Sequence, residues 1–259
     1  MTIDARTVDL GVLNSLTKYP SIPTYHTLDP ANGGLLETAI GFDGPVIGTE
    51  KVDGTNARVV SLPGNTYLLG SREELLYAKG DLIGNPAQGI VAALRPIADA
   101  LTPVDDDVIR VHYFEAYGGK ITAAAKQYTG NRAVGLRLFD IAVIADYAEK
   151  LTLQPAQVSS WRENGGQVYL TEAELAKAAE LDGLERTPRL FTLEPDELPQ
   201  DVGKMSRFLT ERLPRTLSAL DDSAGGRAEG IVLRTADRSR IAKARFQDYE
   251  RTLRRRTVS

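Results

Sequence analysis

The sequence predicts an α+β fold, a single domain of mixed, largely antiparallel sheets flanked by helices. Alternating, β-rich runs recur along the chain, and stretches with helical periodicity lie between some of them. No internal repeat, low-complexity tract or linker interrupts the 259 residues. A chain of that length that is 42% hydrophobic can bury a substantial core.

The N-terminal part, residues 1–44, contains no predicted element. It is rich in Pro, Gly and Thr. The pairs Tyr19-Pro20 and Ile22-Pro23 disfavour helix, because the residue before a proline avoids the helical region. We expect this part to wrap the domain as an irregular lead-in.

The predicted elements follow in order. Strands are expected at about 45–51, 56–61, 67–69, 108–116, 136–144, 190–193, 229–235 and 240–246. Helices are expected at about 87–101, 155–163, 171–181 and 203–220, with a basic terminal helix within 247–259. Thr171 and Glu174 form a capping-box pattern at the start of the third helix, and Pro96 lies inside the first.

The composition excludes several kinds of chemistry. The absence of cysteine excludes thiol catalysis, disulfides and Cys-ligated zinc. The two histidines, His26 and His112, lack the surroundings of a metal site or a catalytic triad. No apolar run approaches the length of a transmembrane helix, so we expect a soluble, cytoplasmic protein with no membrane partner.

Charge is distributed unevenly along the chain. The whole chain has 31 Lys and Arg against 35 Asp and Glu, a net charge of −4. Residues 227–259 alone carry ten basic and four acidic side chains, so that segment has a charge of +6 and the remainder −10. A basic C-terminal segment in an otherwise acidic chain indicates a local site for a polyanion.

One stretch, Glu50-Lys51-Val52-Asp53-Gly54-Thr55-Asn56, has the chemistry of a reactive site. We interpret it as a strand, a tight turn and a second strand, with Gly54 free to adopt a positive φ. That geometry would expose the Lys51 amine at the end of a sheet beside a carboxylate. If its surroundings lower its pKa, such a lysine can act as a covalent nucleophile. A solvated hairpin turn is the plainer interpretation.

Five further polar features follow at predicted strand ends. They are Ser71-Arg72, Glu115 ahead of Tyr117-Gly118-Gly119, Phe139-Asp140, Glu229-Gly230, and the pair Lys243 and Arg245. Polar groups supplied from the ends of several strands are the way in which a sheet builds a cleft.

In this order and spacing the features resemble the covalent nucleotidyltransferase superfamily of polynucleotide ligases and mRNA capping enzymes. The resemblance is closest to the ATP-dependent RNA ligases of the phage double-strand-repair type. The similar stretches are Glu50 to Asn56, Leu138-Phe139-Asp140-Ile141, Ala228 to Arg234 and Ala242-Lys243-Ala244-Arg245. The resemblance extends over about residues 45–250 and implies a ligase adenylation (nucleotidyltransferase) domain.

The resemblance implies a substrate, cofactors and a reaction. The cofactors would be ATP and Mg²⁺ or Mn²⁺, and the substrate would be RNA with 5′-phosphate and 3′-hydroxyl ends. Lysine attacks ATP, AMP passes to a 5′-phosphate, and a 3′-hydroxyl then attacks that end. Lys51 would carry AMP as a phosphoramidate, and Lys243 would contact the AMP phosphate during transfer. Glu229 would bind the divalent ion, and Asp53 would orient the loop or hold the ribose and metal side.

The nucleotide would be held by five further side chains. Glu115 would accept hydrogen bonds from ribose hydroxyls, Phe139 would stack on adenine, and Glu50 would read the adenine edge. Arg72 would hold a phosphate or the ribose. Arg245 stands where members of the family usually carry a second lysine, which leaves its role open. The plainer interpretations are a core phenylalanine for Phe139, a solvated strand-end arginine for Arg72 and a simple turn residue for Asp53.

Two questions stay open at this point. The terminal arginines Arg251, Arg254, Arg255 and Arg256 fit phosphate contacts and equally fit cations that stabilise a helix C-terminus. The alternative functions are a minimal ATP-dependent DNA ligase, a capping guanylyltransferase, and an adenylyltransferase or RNA-binding subunit that needs a partner. The chain ends about one helix after Arg245 without an OB-fold, so we expect a protein partner to supply nick clamping.

Overall fold

The computed structural model describes residues 3, 7–78, 81–82, 89–105 and 107–258, and the chain divides into two compact units. Unit 1 consists of Met1–Ser21, Gly54–Ala123 and Val134–Arg186. Unit 2 consists of Ile22–Asp53, Ala124–Ala133 and Thr187–Ser259. The chain passes between these units five times, and no linker in the sequence marks the boundaries. The single domain expected from the sequence stays a prediction.

The described residues form strands and α-helices in an α+β arrangement, as predicted. The strands are β1 (His26–Leu28), β2 (Leu35–Ala39), β3 (Val46–Lys51), β4 (Thr55–Leu62), β5 (Thr66–Ser71), β6 (Leu75–Ala78), β7 (Asp81–Leu82), β8 (Ile109–Gly118), β9 (Val134–Ile144), β10 (Val168–Tyr169), β11 (Arg189–Leu193), β12 (Gly230–Thr235) and β13 (Ile241–Arg245). The helices are α1 (Leu10–Thr17), α2 (Ile90–Ala100), α3 (Tyr147–Lys150), α4 (Pro155–Glu163), α5 (Glu172–Leu181), α6 (Val202–Arg212) and α7 (Phe246–Val258).

Unit 1 is built on one antiparallel sheet with the strand order β10-β9-β8-β4-β5-β6-β7. Both of its faces are covered. Helices α1 and α4 pack on one face, where Leu13, Leu16 and Val158 are buried, and α2 and α5 contribute to the apolar cluster on the other. The central strands are therefore buried on both sides and consist largely of apolar residues.

Unit 2 contains an antiparallel sheet with the order β11-β3-β12-β13 and a smaller sheet formed by β1 and β2. One face of the larger sheet, including Ile231 and Ala244, packs on the apolar cluster to which α6 contributes Met205 and Leu209. Because successive strand residues point to opposite faces, the residues between them form a second, more polar face.

Most predicted elements are confirmed to within a few residues. The capping box is present: Thr171 Oγ1 accepts the Glu174 N–H at 3.3 Å, and the Glu174 carboxylate accepts the Thr171 N–H at 2.8 Å. Residues 87–88 of the first predicted helix and residue 259 of the last lie outside the described residues. Among the described residues, no helix is long and apolar enough to cross a membrane.

Two predicted segments are wrong. Residues 1–44 include the helix α1, whose N-terminus is capped by Asp9 accepting the N–H groups of Gly11 and Val12, as well as β1 and β2. Pro20 and Pro23 restrict only their immediate neighbours, which leaves residues 10–17 free to form a helix. Conversely, α6 ends at Arg212 instead of continuing to about residue 220, because Pro214 disfavours the helical conformation at Leu213.

The predicted hairpin around Gly54 is also wrong. Strand β3 pairs with β11 and β12 in unit 2, whereas β4 pairs with β5 and β8 in unit 1, so β3 and β4 belong to different sheets. Gly54 does not have a positive φ. It is required for another reason: a Cβ at this position would lie 2.2 Å from the carbonyl oxygen of Ala116.

A buried histidine makes the stability of unit 1 depend on pH. His112 on β8 is 1% exposed, and its Nε2 lies 3.8 Å from Asp182 Oδ2. Burial lowers the pKa of His112 from its usual 6.5 and outweighs the opposing effect of Asp182. The folded protein therefore holds His112 neutral at a pH at which the unfolded chain begins to bind a proton.

We expect acid to destabilise the protein through His112. Below its unfolded pKa, the unfolded state binds the extra proton, so the free energy of unfolding falls by up to about 1.4 kcal/mol per pH unit. His112→Gln has no titrating group at this position and should flatten that slope in urea unfolding between about pH 7 and 5. Equal slopes for the wild type and His112→Gln would contradict the expectation.

Candidate active site

The side chains of Lys51 and Glu229 meet in unit 2. Lys51 is the last residue of β3 and lies directly opposite Gly230 on β12. Its carbonyl oxygen accepts the Glu229 N–H at 3.0 Å, and its Nζ forms an ion pair with Glu229 Oε2. The two side chains are 21% and 23% exposed, so solvent and small molecules can reach them. Strand register brings together two residues that are 178 positions apart in the sequence.

Two further cations point to the same face of the unit 2 sheet. Gly230 lies opposite both Lys51 and Arg245, and residues directly opposite each other in antiparallel strands share a face. Lys243 precedes Arg245 by two positions on β13 and therefore shares that face as well. Two strand spacings separate the backbones of Lys51 and Arg245 by roughly 10 Å, a distance that long side chains can bridge through a phosphate.

Arg245 is held by an acid on the following helix. Its Nε and Nη2 bind the two carboxylate oxygens of Asp248 at 2.8 and 3.1 Å, the two-point geometry that a guanidinium favours. Its Nη1 lies 3.8 Å from Glu229 Oε1. Glu229 therefore lies between two cations, Lys51 and Arg245.

Asp53 places a second carboxylate close to Glu229. Burial raises the pKa of the Asp53 carboxyl, the negative charge of Glu229 raises it further, and Lys51 opposes this shift. The Asp53 N–H donates to the Tyr128 hydroxyl oxygen at 2.6 Å. A second carboxylate that the charge of Glu229 holds back from ionising is suited to a divalent cation, which offsets that repulsion.

The carboxylates of Asp53 and Glu229 fit magnesium as part of its ligand set. No cluster of three or more His, Cys, Asp or Glu side chains capable of holding a metal ion occurs in the described part of the chain. Mg²⁺ usually binds one or two protein carboxylates and completes its octahedron with waters and substrate phosphates. Asp53 and Glu229 match that arrangement and do not form a cage that would hold the ion by themselves.

Glu50 is placed differently from its predicted role. The side chain is buried at 1% exposure, and its carboxylate accepts the Thr216 hydroxyl and the Leu217 N–H, the latter at 2.8 Å. These bonds anchor the irregular segment 213–228 to β3. Recognition of an adenine edge by Glu50 would have to share the carboxylate with these two donors, and it stays a prediction.

Arg72 and Glu115, two of the predicted nucleotide contacts, belong to unit 1. Glu115 is half-buried on β8, and its Oε1 accepts the Gly54 N–H at 3.1 Å. Arg72 follows the end of β5 and is exposed, with Nε 3.4 Å from Glu73 Oε1. Its carbonyl oxygen accepts an N–H of the buried Arg58 at 3.3 Å. Their contacts with ribose or phosphate stay predictions.

Phe139, also in unit 1, lies at a bulge of β9. Tyr113 on β8 pairs with Asp140 and the next β8 residue pairs with Leu138, so Phe139 is the extra residue. It is half-buried and packs edge-on against Tyr19, with 5.0 Å between the ring centroids. The core role considered from the sequence is therefore present. Stacking on adenine is compatible with half-burial and stays a prediction.

The four terminal arginines are mostly engaged within unit 2. Arg251 binds the carbonyl of Gly33 at 2.7 Å, Arg255 binds that of Asn32, and Arg256 pairs with Glu37. These contacts fasten α7 to the β1–β2 region, a role that neither of the interpretations from the sequence included. Each guanidinium has five N–H donors, so phosphate contacts remain chemically compatible and stay a prediction.

Sequence reasoning missed three buried residues with polar contacts, Tyr128 and Thr216 in unit 2 and Arg58 in unit 1. Tyr128 and Thr216 lie in segments without periodicity, and no pattern signals their contacts with Asp53 and Glu50. Arg58 could have been found, because a lone arginine within the apolar run of β4 needs buried partners. Its Nη1 donates to the Ser71 carbonyl at 2.7 Å.

The architecture is that of solved RNA ligases. The structure matches a Naegleria gruberi RNA ligase with a TM-score of 0.56 at 14% identity, over 93% of this chain and 59% of that one. It matches an archaeal ATP-dependent RNA ligase with a TM-score of 0.51 at 15% identity, over 90% of this chain and 49% of that one. The chain thus spans about half to three fifths of the length of these proteins. A search of curated protein sequences found no match.

Family membership follows from the sequence match. The RNA ligase family model matches residues 44–246, most of the chain, and the chain therefore belongs to the RNA ligase family. The matched region includes β3 with Lys51, β12 and β13 with Lys243 and Arg245, and the nucleotide-contact candidates of unit 1.

The Glu50 contacts lead to a prediction about stability. Glu50→Gln keeps the shape but loses an acceptor for the Thr216 hydroxyl or the Leu217 N–H, which should lower the free energy of unfolding by about 1–3 kcal/mol. Thr216→Val removes one of the bonds and should cost about 1 kcal/mol. Urea unfolding of both variants measures these changes.

The same two variants separate the roles of Glu50. If Glu50 only anchors segment 213–228, both variants keep the wild-type preference between ATP and GTP. A changed preference in Glu50→Gln with an unchanged one in Thr216→Val would show that Glu50 reads the base, and unchanged stability in both variants would contradict the anchoring role.

Proposed function

We propose that the chain is an ATP-dependent RNA ligase that joins 3′-hydroxyl and 5′-phosphate RNA ends through a lysyl-AMP intermediate. One observation carries the proposal: in a member of the RNA ligase family, Lys51 is paired with Glu229 on the sheet face that also presents Lys243 and Arg245.

Structures of a similar protein support the nucleotide and the metal. The Naegleria gruberi RNA ligase was solved with PPi, and a mutant of it, which matches with a TM-score of 0.53, was solved with AMP and Mn. The archaeal match is described as ATP-dependent. We propose the same nucleotide and a divalent cation for this chain.

The first step would form a bond between Lys51 Nζ and the α-phosphorus of ATP. The bond from that phosphorus to the oxygen bridging to the β-phosphate breaks, and pyrophosphate leaves. The amine must first lose a proton, and Glu229, its ion-pair partner, is placed to accept it. Lys243 and Arg245 on the same face would offset the negative charge on the phosphates.

Two later steps would consume the intermediate. A 5′-phosphate oxygen attacks the phosphorus of lysyl-AMP, which releases the lysine and leaves AMP on the RNA end. A 3′-hydroxyl then attacks the 5′-phosphorus, a phosphodiester forms, and AMP departs.

Nicked duplexes with RNA or DNA on the 3′-hydroxyl side, tested with and without added cell extract, measure the RNA preference and the need for a partner.

Asp53 and Glu229 are the residues that would hold the divalent ion. Bound Mg²⁺ or Mn²⁺ would neutralise charge on the phosphates and disfavour protonation of the adjacent amine. The protein's own contribution is to hold two carboxylates beside Lys51 with room for waters and phosphate oxygens.

The proposal predicts that Lys51 becomes labelled. Incubation with α-labelled ATP and Mg²⁺ should attach label to the protein in a form that survives denaturation, and Lys51→Ala should abolish it because the nucleophile is lost. Lys18→Ala is the matched control, since Lys18 is also ion-paired, with Glu73 at 2.9 Å, and has similar exposure. Absence of label on the wild type, or label retained in Lys51→Ala, would end the proposal.

The metal role predicts a specific defect in Glu229→Gln. The neutral amide binds the divalent ion weakly, so the rate of lysyl-AMP formation should fall by about 100-fold or more. The Mg²⁺ concentration for half-maximal labelling should also rise. Glu73→Gln, a change in an exposed ion-paired glutamate, is the control. A lower rate with an unchanged Mg²⁺ requirement would contradict metal binding by Glu229 and leave its role as proton acceptor.

A further inference from the structure

Tyr128 is a fully buried tyrosine that lies outside the apolar clusters of the described residues. It is 0% exposed, and its hydroxyl oxygen accepts the Asp53 N–H at 2.6 Å. The hydroxyl of a buried tyrosine usually has a hydrogen-bond partner, and here that partner is the backbone two residues after Lys51.

The position of this bond matters for Lys51. On one side, β12 fixes the backbone of Lys51, because its carbonyl oxygen accepts the Glu229 N–H at 3.0 Å. After Lys51 the strand ends, and the Tyr128 hydroxyl fixes the next turn two residues later. The bond to Tyr128 thus sets the orientation of the Val52–Asp53 peptide, and with it the direction of the turn that carries the Asp53 carboxylate.

The segment that carries Tyr128 is itself braced. The Tyr128 carbonyl accepts the Leu220 N–H at 2.8 Å, and the Gln127 carbonyl accepts the Gly226 N–H at 3.1 Å. The Thr129 hydroxyl donates to Asp221 Oδ2 at 2.7 Å. Residues 127–129 are therefore tied to the segment 213–228.

The same segment also anchors the other side of the nucleophile. Thr216 and Leu217 within it bind the carboxylate of Glu50, the residue before Lys51. Through Glu50 and through Tyr128, the residues on both sides of Lys51 are attached to one hydrogen-bonded support.

We propose that Tyr128 is a positioning residue for Lys51 and that its hydroxyl orients the turn after β3 for formation of lysyl-AMP. This inference rests on the function proposed above. Attack requires the amine to be about 3–3.5 Å from the phosphorus with correct alignment, and a displacement of about 1 Å can slow such a reaction 100-fold. Tyr128 does not touch the reacting atoms and acts through the backbone of Asp53.

The test removes one oxygen atom. Tyr128→Phe should lower the single-turnover rate of lysyl-AMP formation by about 10- to 100-fold and change the KM for ATP by less than about twofold. Tyr67→Phe is the matched control, because Tyr67 is also buried, donates one hydrogen bond, to Asp99 at 2.8 Å, and lies in unit 1. It should react at the wild-type rate, and both variants should melt within about 5 °C of the wild type.

A second readout distinguishes positioning from a general loss of structure. Amide hydrogen exchange should accelerate at Asp53 in Tyr128→Phe and stay slow at Leu220, whose N–H binds the Tyr128 carbonyl. A second variant, Asp221→Ala, removes the brace at Thr129 and keeps the tyrosine, so it should slow the same rate by a smaller factor.

The outcomes separate this inference from the proposed function. If the wild type forms no lysyl-AMP, both the proposed function and the positioning role of Tyr128 are overturned. If the wild type forms lysyl-AMP and both Tyr128→Phe and Asp221→Ala form it at the wild-type rate, the positioning role is overturned and the proposed function stands. If Tyr128→Phe is slow but Asp53 exchanges as in the wild type, or exchange accelerates throughout unit 2, the role assigned to the Asp53 contact is overturned.

Discussion

The candidate site depends on the pairing of β12 with β3 on one side and β13 on the other. This register places Glu229 next to Lys51 and puts Lys51 on one polar face with Lys243 and Arg245. A shift of one residue in either pairing would turn the cations towards the apolar core of unit 2. Gly230 maintains the close approach, because a Cβ there would lie 2.1 Å from the Ala244 carbonyl oxygen. Gly230, which follows Glu229 in the motif, is thus also required by the packing of β12 against β13.

The charges of the candidate site are paired with one another. Glu229 is shared between Lys51 and Arg245, and Arg245 is shared between Glu229 and Asp248. Glu229 also raises the pKa of the Asp53 carboxyl, in addition to the larger effect of burial. A phosphate and a divalent cation arriving together would add charges of both signs to this network.

The sequence predicts the α+β fold class and most of the elements, whereas it does not predict which strands pair around the candidate site. Motif order indicated that Lys51 and Glu229 would meet, since each lies at a strand end whose chemistry needs the other. The β3–β4 hairpin was wrong because local turn signals at Asp53-Gly54 say nothing about which sheet each strand joins. Helix α1 was missed because nearby prolines outweighed a short apolar pattern. Contacts such as that of Tyr128 with Asp53 span 75 positions between irregular segments, and no periodicity encodes them.

The alternation of the chain between its two units has a consequence for biosynthesis. Unit 1 has all of its strands once residue 186 has emerged from the ribosome, whereas β3 acquires its partners β11 and β12 only from residues 189–193 and 230–235. Strand β3, which carries Lys51, is therefore synthesised well before either of its partner strands, and its edges are unpaired until they follow. Unpaired strand edges favour aggregation, and pairing over so great a sequence separation is slow. Nascent chains truncated before β12 are the species in which a chaperone would be needed most.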